Sequence, residues 1–275
     1  MVATPIGNLR DVTLRALDIL RTADIIAAED TRVTSTLLAR YGVATKPRAL
    51  HRHNEARQAQ ALLEALASGR SVALVSDAGT PGISDPGARL VRDAREVGHR
   101  VVPIPGATAL TAAISAAGLA AERFAFIGFL PRQAKARREL LATIACWPVA
   151  LVLYEAPHRV ADTVSELART LDPQRGITIA RELTKTFETI ANMALANATG
   201  WLAADANRVR GEFVLIVDAP LGDEATLPAG PDADRLLRAL LAELPPARAA
   251  RVASVATGAP RDALYARALA LKAPR

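Results

Sequence analysis

The chain has 275 residues, 51% of them hydrophobic, which is ample for one large or two ordinary packed domains, and no apolar run approaches the roughly 20 residues of a membrane-spanning helix. Residues 1–6 show no basic region leading into an apolar run, so no secretory signal is expected, and the single cysteine, Cys146, excludes an internal disulfide and suits a reducing cytoplasm. The net charge is +6 and only four of the 34 cationic residues are lysine (46, 135, 185 and 272), a bias that fits a phosphate-bearing nucleic-acid partner or, equally, a genome rich in Arg and Ala codons.

Apolar runs of strand length alternate with helical patterns to about residue 218. Strands are expected at 24–29, 48–51, 71–76 and 100–104, with helices near 13–22, 32–41, 56–68, 86–97 and 107–117. A second series follows, with strands at 124–130, 149–154, 177–180 and 212–217, a basic helix after the first, and a helix at 158–170. The pattern predicts an α/β fold rich in parallel strands, divided into an N-terminal α/β domain (1–118) and a C-terminal α/β domain (119–222). Residues 221–234, rich in Gly, Pro and acids, read as a linker, so 223–275 is expected to be a linker and a small helical extension.

Three loops of small residues stand at strand ends. The longest, residues 76–87 (SDAGTPGISDPG), lies between a strand and a helix; Gly79 and Gly82 permit tight backbone turns, and Asp85 before Pro86 suits a helix N-cap. Residues 4–8 (TPIGN) and 103–108 (PIPGAT) occupy corresponding places, and together the three suggest one shared ligand crevice. None is a G-x-G-x-x-G or a P-loop, so dinucleotide or ATP binding has no specific support.

Polar residues cluster at other strand ends. Glu29, Asp30 and Arg32, and His51, His53, Asn54 and Glu55, are suited either to acid, base and substrate contacts or to helix capping. A metal site is not expected, because His51 and His53 alternate across a strand with no compact second pair. Lys185 sits in a polar loop, where its amine is either solvated or turned to a cleft to orient or deprotonate a hydroxyl. Arg132, Lys135, Arg137 and Arg138 gather where a helix starts, against the helix dipole, which favours a phosphate-binding role.

Taken in order along nearly the whole chain, ATPIGNL (3–9), AAEDTR (27–32), HNE (53–55), the 76–87 loop, PIPGA (103–107), GFLPR (128–132), YEAPHR (154–159), RELTKTFE (181–188) and GEFVLIV (211–217) resemble the tetrapyrrole methylase superfamily. Within it the resemblance is closest to the ribosomal RNA small subunit methyltransferase I family. It implies two α/β domains with S-adenosylmethionine in the crevice between them, a homodimer, and 2′-O-ribose methylation of a decoding-centre cytidine in 16S ribosomal RNA of the small ribosomal subunit. By position it implies that Pro5, Asp77, Gly79, Thr80, Ile83, Thr108 and Ala109 contact the cofactor from the first domain. Tyr154, Leu183, Thr184, Phe213 and Val214 would do so from the second. In that family several apolar residues precede the ATPIG motif and form a first strand; Met1 and Val2 alone precede it here, which implies a trimmed first strand.

Methyl transfer to a hydroxyl is an in-line displacement that needs alignment and relief of the hydroxyl proton, and no metal. Glu29, Asp30, Arg32 and Lys185 are expected around the acceptor, with a carboxylate or Lys185 handling the proton and Arg32 holding phosphate. His53, Asn54, Glu55, Arg132, Lys135, Arg137, Arg138 and Arg159 are the expected RNA contacts. The alternatives are a methylase of an acidic tetrapyrrole and a non-enzymatic RNA-binding module. Against the first stands the helix-turn-helix-like pattern of 247–271, useful for nucleic acid; the second leaves the three small-residue loops without a purpose.

Overall fold

The computed structural model describes residues 1–50, 55–119, 121–220, 231–257 and 259–272, with 55–57 and 231–233 described by their backbone alone. It resolves into two compact units: Met1–Gly118 with Ile179–Ala191 and Gly211–Val214, and Leu119–Thr178 with Asn192–Arg210 and Leu215–Arg275.

In the first unit, α1 (Leu14–Thr22) starts where the Thr13 side chain accepts the Ala16 N–H at 3.1 Å, and it buries Ala16, Leu17 and Leu20. There follow β1 (Ile25–Ala28), α2 (Thr31–Arg40), β2 (Pro47–Ala49), α3 (Glu55–Ala67), β3 (Val72–Val75), α4 (Ala88–Glu96) and α5 (Ala109–Ala117). The strands form a parallel sheet in the order β2-β1-β3. Side chains alternate across a strand, so Ile26 and Ala28 of β1 pack with Val2, Leu20, Leu38 and Ile104. Ile25 and Ala27 face the other way, onto Leu50, Leu62, Leu74 and Leu90. Both faces of this central strand are therefore buried, which is why it reads as a continuous apolar run.

Two expectations are corrected here. Residues 100–104 form no strand: the only bridge is Ile104 to Val2, because the backbone partner is just residues 1–3, through Met1 N to Val102 O and Ala3 N to Ile104 O. Asp85 does not cap α4. The helix begins two residues after Pro86, with Gly87 at φ +117 as its N-cap and no side-chain cap bond; a Cβ at Gly87 would lie 2.5 Å from Leu74 Cδ2, so only glycine lets the chain turn this close to β3.

The second series comprises β4 (Phe124–Phe129), α6 (Ala134–Ile144), β5 (Ala150–Glu155), α7 (Val160–Thr170), β6 (Gly176–Arg181), β7 (Thr189–Ala194), α8 (Leu195–Ala203) and β8 (Phe213–Val217). The sheet order is β4-β5-β8-β6-β7, with β4 parallel to β5 and an irregular register between Phe126 and Gly128. Three helices end the described chain: α9 (Pro231–Glu243), α10 (Pro246–Thr257) and α11 (Arg261–Lys272). Their shared core is built from Leu237, Ala249, Ala250, Ala253, Leu264 and Ala268, and the small alanines of α10 let the helices pack closely. Among the described residues, no helix is long and apolar enough to cross a membrane.

Candidate functional site

The N-terminal segment organises the site in the first unit. Thr4 and Gly79 exchange backbone hydrogen bonds at 2.9 and 3.0 Å, and the Thr4 hydroxyl donates to Ser76 O at 3.1 Å. Gly79 has φ +86, and a Cβ there would meet Ile6 Cγ2 at 3.3 Å and Ala107 O at 3.6 Å. The Thr80 hydroxyl donates to Ala107 O at 3.1 Å. The turns around Thr4–Ile6, Gly79–Thr80 and Ala107–Thr108 are thus packed against one another, with Pro5 and Gly79 buried and Asp77, Thr80 and Thr108 half-buried. Ile83 is half-buried in the loop that follows, and Ala109 opens α5.

Two further strand ends join this cluster. Asp77 Oδ1 accepts the Asp30 N–H at 2.7 Å. Asp30 also caps α2, accepting the Arg32 N–H at 2.8 Å, and forms an ion pair with the Arg32 guanidinium at 2.5 Å. The Arg32 side-chain and backbone hydrogen bonds hold the Asp30 carboxyl well below the usual range, at about 2. Glu29, just before it, is half-buried.

At Gly7 the chain meets residues 183–185. A Cβ on Gly7 would lie 2.5 Å from Lys185 Cγ and 2.8 Å from Thr184 Oγ1, so the missing side chain is what admits the lysine stem. The Lys185 ammonium donates to Glu182 Oε1 at 2.8 Å and to Glu212 Oε2 at 2.9 Å. Burial by itself would lower the lysine pKa, but the two carboxylate hydrogen bonds and their charge outweigh it, and the group is raised above its ordinary value. Burial likewise opposes ionisation of Glu182, yet the Lys185 bond, the Glu212 N–H and nearby Arg181 leave its pKa lowered.

The backbone around this lysine is unusual. Glu182 (φ +52) and Thr184 (φ +66) are left-handed, and they are two of three such non-glycine residues among those described. Each such conformation costs about 1–3 kcal/mol and persists where surrounding structure imposes it, commonly at functional sites. Leu183 between them is buried, and Thr184 Oγ1 is buried without a hydrogen-bond partner. Phe213 and Val214 are fully buried in β8.

In the second unit, Tyr154 on β5 makes edge-to-face contacts with Phe126 (centroids 4.9 Å apart) and Phe129 (5.7 Å). Of the expected RNA-binding cations, Arg132, Lys135 and Arg138 are exposed. Arg137 turns inward to a partly buried ion pair with Glu166. Arg159 pairs with buried Glu155 at 3.4 Å and donates to Leu130 O at 2.9 Å. His53 and Asn54 lie outside the described residues, as does the side chain of Glu55. No group of three metal-binding side chains occurs among the described residues.

Sequence reasoning singled out Lys185 but not Glu182, Glu212, Gly7 or Gly211. Glu182 stands three residues before Lys185, but in a loop, where the left-handed Glu182 and Thr184 rather than helical spacing bring the pair together. Glu212 lies 27 residues further on and only the fold brings it in.

The sequence and fold of the chain have relatives. The family of tetrapyrrole (corrin/porphyrin) methylases matches residues 1–199, and the RsmI C-terminal HTH domain matches residues 228–272. The ribosomal RNA small subunit methyltransferase I of Escherichia coli O157:H7 is 48% identical over 269 residues, covering 98% of this chain and 93% of that protein. The enzyme of the same name from Xylella fastidiosa is 50% identical over 267 residues, covering 96% of each. Among solved structures, uroporphyrin-III C-methyltransferase from Thermus thermophilus complexed with S-adenyl homocysteine shares the fold at a TM-score of 0.55 and 20% identity, over 79% of this chain and 95% of that one. Identity of this order across nearly the whole length, together with both domain matches, establishes that the chain belongs to the ribosomal RNA small subunit methyltransferase I family.

Proposed function

We propose that the protein transfers the methyl group of S-adenosylmethionine to the ribose 2′-hydroxyl of a decoding-centre cytidine in 16S ribosomal RNA, working as a homodimer on the small ribosomal subunit in the cytoplasm. The observation that carries this reading is the convergence of three small-residue turns with a charged cluster built on Lys185. The turns supply backbone groups and closely approachable surface for a cofactor, and the orphaned Thr184 hydroxyl is a buried polar group suited to a ligand atom. Pro5, Asp77, Gly79, Thr80, Ile83, Thr108, Ala109, Tyr154, Leu183, Thr184, Phe213 and Val214 would hold S-adenosylmethionine, which when bound supplies an electrophilic methyl on a positively charged sulfur.

The acceptor end is assigned to Glu29, Asp30, Arg32 and Lys185. Asp30 is held ionised by Arg32, so it anchors that arginine for a backbone phosphate and is a weak proton acceptor. Lys185, kept protonated, supplies positive charge to the acceptor oxygen. Glu29 then takes the hydroxyl proton. Arg132, Lys135 and Arg138 bind phosphate nearby in the RNA, whereas Arg137 and Arg159 serve the protein's own carboxylates. The helix-turn-helix match at 228–272 favours a nucleic-acid substrate over a tetrapyrrole.

Labelled-methyl transfer to small ribosomal subunits from cells lacking the protein tests the reading. Wild type should label 16S RNA at a single cytidine ribose; labelling of a tetrapyrrole instead, or of no RNA, overturns it. Glu29→Gln should lower kcat by about 100-fold, the low end of general-base contributions, and an unchanged rate removes Glu29 from the role.

A further inference from the structure

Lys185 is more elaborately supported than a surface lysine requires. Two carboxylates from different parts of the chain meet its ammonium, Glu182 at 2.8 Å and Glu212 at 2.9 Å. Glu182 is itself fixed: its Oε1 also accepts the Glu212 N–H at 3.0 Å, and its backbone N–H donates to Glu212 O at 3.0 Å. Gly211, at φ +89, makes room for this, since a Cβ there would run into the Glu182 carboxyl group. Gly7 clears the other side, along the lysine stem. Left-handed Glu182 and Thr184 bend the loop so that Lys185 lies between these walls.

A lysine built to accept a proton needs the opposite surroundings: an apolar pocket or a neighbouring cation, which favours the neutral amine. Here the facing charged groups are Glu182 and Glu212, with Arg181 acting on Glu182. Among the described residues Lys185 is the cation that hydrogen-bonds both carboxylates.

We infer that Glu182 and Glu212 are positioning residues that fix Lys185 as a permanent ammonium, so that the lysine serves methyl transfer as a charge donor and never as the base. The inference rests on the reading of Lys185 as an acceptor-site residue. In the step it serves, the ribose oxygen bonds to the methyl carbon as the carbon–sulfur bond breaks, sulfur keeps that electron pair, and the hydroxyl proton passes to Glu29. The ammonium keeps all its protons and stabilises the charge that builds on the oxygen. The raised pKa of Lys185 agrees with this arrangement.

The experiment is a pH–rate profile for the full-length protein on unmethylated small ribosomal subunits, comparing wild type with Glu182→Gln, Glu212→Gln and Lys185→Met. Glu212 is largely exposed, so its glutamine variant folds even where Glu182→Gln does not. Removing either carboxylate lowers the lysine pKa, so the alkaline loss of activity should move to lower pH by at least half a unit. At neutral pH kcat should fall about tenfold for Glu182→Gln, with KM for the subunit within twofold and the melting temperature of Glu212→Gln unchanged. An alkaline limb that stays in place in Glu212→Gln overturns the inference, as does activity that keeps rising through the alkaline range in which the lysine deprotonates, or that increases in the glutamine variants, the behaviour of a lysine base. Lys185→Met separates the two levels: normal methyl transfer in that variant removes Lys185 from the acceptor site altogether, whereas a large loss there with unmoved profiles in the glutamate variants sinks the positioning role alone.

Discussion

The Asp77 carboxylate accepts the backbone N–H of Asp30 at 2.7 Å, tying the turn after β3 to the turn after β1. Asp77→Ala should leave that part-buried N–H unpaired and cost about 1–3 kcal/mol, seen as a lower melting temperature in scanning calorimetry. Asp77→Asn keeps an acceptor oxygen and should recover most of that stability. Both variants should weaken S-adenosylmethionine binding measured by titration calorimetry, because Asp77 belongs to the small-residue loop 76–87 proposed to hold the cofactor; full affinity in Asp77→Ala would remove it from the cofactor site.

Asp30 makes a pH prediction of definite sign. Its folded-state pKa, about 2, lies below the ordinary carboxylate value, so its contribution to stability is present above about pH 4 and is lost as pH falls toward 2. Chemical denaturation of wild type and Asp30→Asn across pH 2 to 6 should show the two converging at the acid end and separating as pH rises. A constant difference across the range would show that Arg32 does not perturb the group in solution. Asp30 should also remain ionised at pH 4 to 5, so any acid limb of the methyl-transfer rate in that window belongs to another group.

Much of this architecture was legible in the residues. The apolar run within 24–29 announced a strand of a parallel sheet, and Asp30 sits where an N-cap belongs. β7 was missed because Thr189-Ile-Ala-Asn-Met-Ala194 neither alternates cleanly nor forms an apolar run, and α8 because Gly200 interrupts a short alanine-rich pattern. Within the site, the three small-residue turns announced themselves by composition. Glu212 could not: its partnership with Lys185 depends on β8 returning beside the 181–185 segment, and nothing local encodes that. The basic run 132–138 was read as uniform, yet helical geometry sends Arg137 to Glu166 on α7 while Lys135 and Arg138 point to solvent.

Gly7→Ala and Gly211→Ala should both impair catalysis by different routes. The first places a methyl 2.5 Å from Lys185 Cγ; the second strains a φ of +89 and crowds Glu182. Each should reduce kcat by tenfold or more in the methyl-transfer assay. The same alanine substitution at Gly42 also meets a positive φ but no neighbour within 4 Å, so it should leave the rate near that of wild type.

The Arg137–Glu166 pair, about nine-tenths buried, should behave as a coupled unit. Arg137→Met or Glu166→Gln alone strands a partly buried charge and should cost about 3 kcal/mol, whereas the double replacement should cost distinctly less than the sum. Urea denaturation of the four members of the cycle measures the coupling, and strict additivity would show the pair to be energetically idle.

Exposed Arg132, Lys135 and Arg138 should act through phosphate. Replacing each with Gln should weaken subunit binding and reduce the slope of log K against log salt concentration by about one per residue. Arg137→Gln should leave that slope unchanged. Filter-binding titrations between 50 and 200 mM salt distinguish the two kinds of arginine.

The first compact unit is assembled from three separate stretches, with Ile179–Ala191 and Gly211–Val214 returning to the first 118 residues. During synthesis, then, the Gly7 turn emerges from the ribosome some two hundred residues before Glu212, the last member of the cluster it belongs to. Contacts this distant in sequence form late and slowly. The nascent N-terminal sheet can fold early, but the Lys185 cluster waits until Glu212 has emerged, so a chain interrupted anywhere before residue 212 carries the small-residue turns without the lysine cradle.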